Sequence, residues 1–295
     1  MPPLPARCRP GGRGWCAAVA SILEASAPKP GNVHPGAAFV DLSHADLVAA
    51  GIAIAAPLED AATRPLGGTI LAAVSAARAV APSNANLGIV LAIAPLAAVP
   101  DPPVCDAGPR HGAAPLRPRP DDVAAVLARL TPADAADVWE AIRLAAPGGL
   151  GSSPRHDLAG PPPTDLLEAM RLAAARDAVA RLWAEGYAPL HDGLVADITA
   201  ALDAGTPLDD AIVGAFLAQL AREPDSLIAR RHGPAVAADV SRRAAAVRGA
   251  GPDALAAFDA SLRRPRRVNP GTTADLTAAA LYILLRSGRL RPPPA

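Results

Sequence analysis

Residues 164–185, Thr-Asp-Leu-Leu-Glu-Ala-Met-Arg-Leu-Ala-Ala-Ala-Arg-Asp-Ala-Val-Ala-Arg-Leu-Trp-Ala-Glu, read as one long helix. The stretch holds no Gly or Pro. Leu166, Met170, Ala173, Ala174, Asp177, Ala180 and Arg181 recur at three- and four-residue spacing, which puts them on one face. Asp177 sets a carboxylate on that inward face. The same period recurs along the chain. It predicts helices over about 14–25, 43–56, 66–79, 86–99, 121–130, 132–145, 190–202, 208–221, 234–248, 252–262 and 273–286. Ser43 with Asp46, three residues on, resembles a capping box for the second of these.

Composition agrees with a helical reading. Hydrophobic residues make up 51% of the 295, but aromatics only 3%, so Ala, Leu, Val and Ile must build the core. Ala and Leu favour helix, and strand-like alternation is scarce. The fold class expected is all-α: a single multi-helix globular domain over 12–288, a flexible N-terminus over 1–11 and a flexible tail over 289–295. The Pro-rich stretch near 100–120 is expected to be a surface loop.

Several partner classes are disfavoured. Formal net charge is zero, so there is no nucleic-acid footprint. The charge-free stretch 79–100 carries Pro82, Ser83, Asn84, Asn86 and Pro95, which suits a buried core helix with a polar start and not a membrane span. The run from Trp15 to Leu23 mimics a leader peptide, but Glu24 interrupts it and Pro28 follows. Cys8, Cys16 and Cys105 fit neither zinc spacing nor a disulfide framework, so a reducing, cytoplasmic setting is expected.

Rare residues mark the candidate site. Lys29 is the sole lysine beside 27 arginines, and the only four asparagines are Asn32, Asn84, Asn86 and Asn269. They sit in three short motifs: Lys29-Pro30-Gly31-Asn32, Ser83-Asn84-Ala85-Asn86-Leu87-Gly88, and Asn269-Pro270-Gly271-Thr272. Turn chemistry alone accounts for Asn, Pro and Gly in such places. A lone Lys kept among arginines suits a point charge against phosphate. Asn269 to Asp275 reads as a Gly turn feeding a helix N-terminus, where free N–H groups favour anions. Asp275 completes a capping pattern with Thr272, or holds a metal on a phosphate. Asn84 and Asn86 offer donors and acceptors for a ribose or a purine edge. Glu24, at the unfavourable end of the first helix, calls for a partner such as Lys29 or a metal. Asp225 and Ser226 form a compact polar group with Arg230, Arg231 and His232, in which Asp225 can also cap. No GxSxG, Walker A or Rossmann fingerprint occurs. The residues alone point to a phosphate-rich nucleotide site with Mg²⁺.

These motifs resemble a known family, the triphosphoribosyl-dephospho-CoA synthases. Glu24…Ala27-Pro28-Lys29-Pro30-Gly31-Asn32-Val33 followed by Asp41 is similar to that family's TPKPGLVD…GAHKDM stretch. Asn84 to Gly88 stands where the family has NTHKG. Asp225 to Arg230 resembles DTNVASR, and Asn269 to Leu276 resembles LSPGGSADL. The four motifs keep their order over 24–286. The resemblance implies an all-α transferase in which the hydroxyl of an acceptor, dephospho-CoA in the family, displaces adenine from ATP. It implies Glu24, Asp41 and Asp225 as catalytic candidates, and Asp275, Glu24 and Asp225 as Mg²⁺ ligands. It further implies nucleotide or phosphate contacts at Lys29, Gly31, Asn32, Asn84, Asn86, Arg230, Asn269, Gly271, Thr272 and Thr273. Leu87, Asn86 and Phe39 replace polar residues of the family pattern, and Gly148-Gly149-Leu150-Gly151 replaces a GARGEA-like segment that carries an acid. Those departures leave two alternatives open: a divergent member making a C1-carrier cofactor of the tetrahydromethanopterin type, and a nucleotide-binding protein without catalysis.

Overall fold

The computed structural model describes residues 8–81, 85–101, 117–147 and 156–291. Helices follow one another along the chain: α1 (Arg13–Ser26), α2 (His44–Ala53), α3 (Ala55–Glu59), α4 (Leu66–Val80), α5 (Leu87–Ala97), α6 (Pro120–Leu127) and α7 (Pro132–Ala145). Then come α8 (Leu166–Ala173), α9 (Ala178–Glu185), the short α10 (Ala188–Leu190), a π-helical turn (His191–Val195) and α11 (Ala196–Asp203). The last are α12 (Leu208–Arg222), α13 (Ser226–His232), α14 (Pro234–Val247), α15 (Pro252–Arg263) and α16 (Gly271–Arg286). Among the described residues the only β pairing is two isolated bridges, His34 with Ala37 and Phe39 with Leu42. The expected all-α fold is what forms.

Two helices make the centre. α16 is buried at Thr272–Ala274 and again from Leu276 to Leu285, and α5 is buried at nearly every position. Helices apolar on all sides have no solvent face to present, so the others wrap them. α1, α5 and α12 pack on α16, and α4 joins α2 and α3 to α7. Cys16, Ala17 and Ala20 put α1 in this core. No described helix is long and apolar enough to cross a membrane.

Pro95 lies inside α5 and has no N–H for the Leu91 carbonyl one turn back. Trp183 of α9 donates its indole N–H to that carbonyl at 2.9 Å, and the Tyr187 hydroxyl donates to the Ala92 carbonyl at 3.0 Å. The proline is thus accommodated by two aromatic donors from one neighbouring segment.

Local signals set several boundaries. Capping boxes at Ser43/Asp46 and Thr131/Asp134 start α2 and α7. The stretch read as one long helix over 164–185 is two. Asp177 adopts extended dihedrals and caps α9, accepting from the Val179 and Ala180 amides at 3.0 Å each. A short polar side chain that can satisfy two orphan amides favours a cap over the helix interior. The helix expected over 190–202 begins with the π-helical turn, and α13 was not anticipated. At the ends, Cys8 is buried, Arg289 pairs with Asp203 and Leu290 packs on the core. Most of the Pro-rich stretch lies outside the described residues, as do Cys105, Asn84 and Gly148–Gly151.

Candidate active site

A cavity of about 920 Å³ opens between α5, α7, α8, α9, α13, the start of α16 and the loop 32–42. Its apolar walls include Leu87 and Leu91 of α5, Trp139 and Ile142 of α7, and Met170 of α8. Its polar wall gathers residues from five separate segments: Glu24, Asn32, Asp177, Arg230 and Asn269 among them.

Two of the asparagine motifs meet. Asn32 donates its side-chain N–H to the Asn269 side-chain oxygen at 2.6 Å, and both line the cavity. Gly31 fixes the approach. Its φ of +77° suits glycine, its N–H donates to Asp259 at 2.7 Å, and a Cβ there would meet Pro270 Cδ and the Val268 carbonyl at 2.9 Å. The third motif contributes Ala85, Leu87 and Gly88 to the wall, whereas buried Asn86 does not line it.

Lys29 is not on the cavity surface. Its ammonium is fully buried, 2.9 Å from Glu24 Oε1. It also donates to the Ala27 carbonyl at 3.3 Å and to the Glu24 carbonyl. A lysine so enclosed compensates a buried carboxylate. Glu24 is the member of the pair that lines the cavity. This answers what a glutamate is doing at the end of α1: it is held by a charge five residues ahead.

Asp225 is likewise structural in its contacts. One oxygen accepts from the Ile228 amide at 3.0 Å, capping α13. The other accepts from the Thr273 amide at 2.7 Å and the Thr273 hydroxyl at 2.8 Å, at the head of α16. Burial pushes its carboxyl up, and those N–H and O–H bonds act against the push. It does not line the cavity. The anion expected at the α16 N-terminus therefore has a protein stand-in for one of its bonds. Thr272 faces the cavity and accepts a hydrogen bond from Ser226 at 3.0 Å.

Asp275 is the carboxylate that α16 presents to the cavity. It lines the cavity from the second turn of α16, half-buried. Burial raises its carboxyl well above the usual range, and the nearby carboxylates of Glu24, Asp225 and Asp177 raise it further. Arg230 works in the opposite direction. Gly88 makes room for it: a Cβ there would overlap the Asp275 carboxylate, whose farther oxygen lies 2.8 Å away.

The basic side of the cavity holds Arg230, Arg231 and Arg267. Arg230 pairs with Asp177 at 3.0 Å. Arg267 pairs with Asp41, and its guanidinium stacks 3.7 Å from the Phe39 ring centroid. Asp41 is thus an exposed residue at the cavity rim. The Nε atoms of Arg230 and Arg267, the Asn32 side-chain oxygen and the Trp139 indole nitrogen are buried without a hydrogen-bond partner among the described residues. Sequence reasoning missed Asp177 as an ion-pair partner and missed Trp139; it named Arg231 and Gly88 within motifs, and Arg267 within a basic run, but gave none of the three a place in the site. The basic run 263–267 leading into Asn269 was the one available signal.

Among the described residues no three His, Cys, Asp or Glu side chains are placed to cage a metal by themselves. Glu24 and Asp275, both on the wall, are the cavity carboxylates available to a Mg²⁺ whose remaining ligands come from phosphate, because Mg²⁺ takes few carboxylates. Asp225, with its oxygens committed to α13 and α16, does not.

Comparisons with known proteins bear on the fold and the family. The sequence profile of the family ATP:dephospho-CoA triphosphoribosyl transferase matches residues 12–292. No curated protein matches significantly. A crystal structure of a candidate triphosphoribosyl-dephospho-CoA synthase from Archaeoglobus fulgidus superposes with a TM-score of 0.61 at 21% identity. The match covers 83% of this chain and 98% of that one, which establishes a shared fold. The profile spans nearly the whole chain, and this protein is a member of the ATP:dephospho-CoA triphosphoribosyl transferase family.

Proposed function

We propose that the cavity binds ATP and transfers its triphosphoribosyl group to the hydroxyl of a nucleotide-type acceptor, dephospho-CoA in the family's name. The observation that carries this reading is the pairing of Glu24 and Asp275 on one wall with the arginines on the next. The acceptor oxygen forms a bond to the anomeric carbon of the ATP ribose as the bond to adenine breaks. Adenine leaves with that electron pair. The hydroxyl proton passes to a cavity carboxylate and on to adenine, so no outside reagent is needed.

Asp275 suits the proton-accepting role. A base is most effective when its pKa lies near the working pH, and burial with like-charged neighbours raises this one. Glu24, held by Lys29, keeps a negative charge close to where positive character develops on the ribose. Asn32, Asn269, Gly271 and Thr272 line the wall beside Asp275 and suit ribose and phosphate contacts. Mg²⁺ would be held by Glu24 and phosphate oxygens, leaving Asp275 as the base, and would neutralise triphosphate charge. Lys29 and Asp225 act one step back: Lys29 orients Glu24, and Asp225 fixes Thr273 and the two helix starts. The chain is expected to work without nucleic acid or membrane partners, in the cytoplasm.

The test is incubation of the full-length protein with ATP, Mg²⁺ and dephospho-CoA, with free adenine and the product mass as readouts. Stoichiometric adenine and an acceptor heavier by one triphosphoribosyl group are expected. Adenine without a heavier acceptor, or no adenine at all, would remove the transferase assignment for this acceptor.

A further inference from the structure

Three guanidiniums on one side of the cavity carry more positive charge than their partners cancel. Arg230 and Arg231 come from α13, and Arg267 from the turn before Asn269. Arg230 is matched by Asp177 and Arg267 by Asp41. Arg231 is exposed to the cavity with no side-chain partner among the described residues. Burial together with the charges of Arg267 and Arg230 pushes the Arg231 pKa down, with Asp41 acting against them, the direction expected where like charges crowd. Two of the cluster's Nε atoms also lack acceptors among the described residues.

Resting on the transferase reading above, we propose that Arg230, Arg231 and Arg267 are the seat for the donor's triphosphate, and that Asp41 occupies Arg267 until a phosphate displaces it. The alternatives along the chain are already engaged: Lys29 is buried against Glu24, and the Thr273 amide of α16 is bonded to Asp225. Guanidinium is the fitting donor, since its planar fork binds phosphate oxygens in pairs. Asp41 suits a removable partner. Its side chain is 59% exposed, so it regains water on release, and it sits on the loop whose Phe39 ring underlies Arg267. Phosphate carries more charge than one carboxylate and can bridge to Arg231 at the same time.

The measurement is calorimetric titration of the full-length protein with inorganic tripolyphosphate at fixed ionic strength. Arg231→Ala should weaken binding by about tenfold or more, as expected for loss of a charge-assisted contact. Arg267→Ala should do the same, and Asp41→Asn should tighten binding several-fold. Arg242→Ala removes the same charge from an exposed site elsewhere and should change nothing. Arg231 is exposed and makes no ion pair or side-chain hydrogen bond among the described residues, so its variant should fold; circular dichroism checks this, and Arg267→Lys keeps the test open if Arg267→Ala does not fold. Tripolyphosphate should compete with ATP in the adenine-release assay. Equal affinity of wild type, Arg231→Ala and Arg267→Ala would overturn the proposal, as would competition against the acceptor alone. If those variants bind normally while the wild type still releases adenine, the seat is wrong and the transferase stands. If wild type binds tripolyphosphate through these arginines but releases no adenine, the seat stands and the transferase reading fails.

Discussion

Replacing Lys29 by Met tests whether the only lysine is a ligand or a structural counter-charge. The ammonium is fully buried and the Glu24 side chain is 7% exposed, with 2.9 Å between them. Methionine keeps the stem and removes the charge. Glu24 is then a buried carboxylate with no cation, and removing one partner of such a pair costs about 3–5 kcal/mol. For 295 residues at roughly 2.1 cal/mol/K each, the unfolding entropy is roughly 0.6 kcal/mol/K, so Tm should fall by about 5–8 °C. Adding Glu24→Gln should recover most of that loss, because the stranded charge is gone. The assay is calorimetric unfolding of wild type, both single variants and the double. A surface phosphate ligand behaves in the opposite way, with ATP affinity lost and Tm kept. A Tm for Lys29→Met within about 1 °C of wild type, or a double variant no better than the single, would refute the structural assignment.

Gly88→Ala should cut adenine release by about tenfold or more while leaving helix content intact, because the new methyl displaces the Asp275 carboxylate from its working position; unchanged kcat would argue against a role for Asp275. The raised carboxyl of Asp275 favours its protonated form in the folded state, so its contribution to stability is complete below the unfolded value near 4 and declines as pH rises through the folded value. Asp275→Asn, neutral throughout, should therefore raise Tm at pH 7 and change it least at pH 4, and it should flatten the rise of turnover with pH expected of the wild type; unfolding scans across pH and a kcat profile read both. Trp183→Phe leaves the Leu91 carbonyl of α5 without the donor that Pro95 cannot supply, which should lower stability by about 1–3 kcal/mol in urea unfolding; an unchanged midpoint would mean the carbonyl finds another partner.

Where local chemistry is self-contained, the sequence was legible. Thr131 with Asp134 and Pro132 sets the start of α7 because all the groups involved lie within four residues. Asn269 to Asp275 likewise reads as a helix start, but the capping pattern expected of Thr272 with Asp275 does not form: Pro270 is the N-cap without a side-chain bond, and the distant Asp225 takes the Thr273 amide. Asp177 misled because its neighbours are strong helix formers, and only its own hydrogen bonds to two amides reveal the break. The rarity of Lys29 was visible, but rarity does not say whether a charge faces a ligand or a glutamate; that depends on burial. The meeting of Arg231 with Arg267 was hidden for another reason. Each is one of 27 arginines, and only the return of the chain after α15 brings them together. The family resemblance marked positions within motifs, and these two lie between or beyond them.

One carboxylate, that of Asp225, holds the first turns of both α13 and α16, 48 residues apart at Thr273. Its consequence is kinetic. Neither helix start can fray alone without stripping an acceptor from the other, so the Ile228 and Thr273 amides should exchange with solvent as one event. Arg230 and Asp275 ride on those two helices, so thermal opening shifts the phosphate-facing and base-bearing walls in concert. Product escape by unpeeling one of them alone is then closed off.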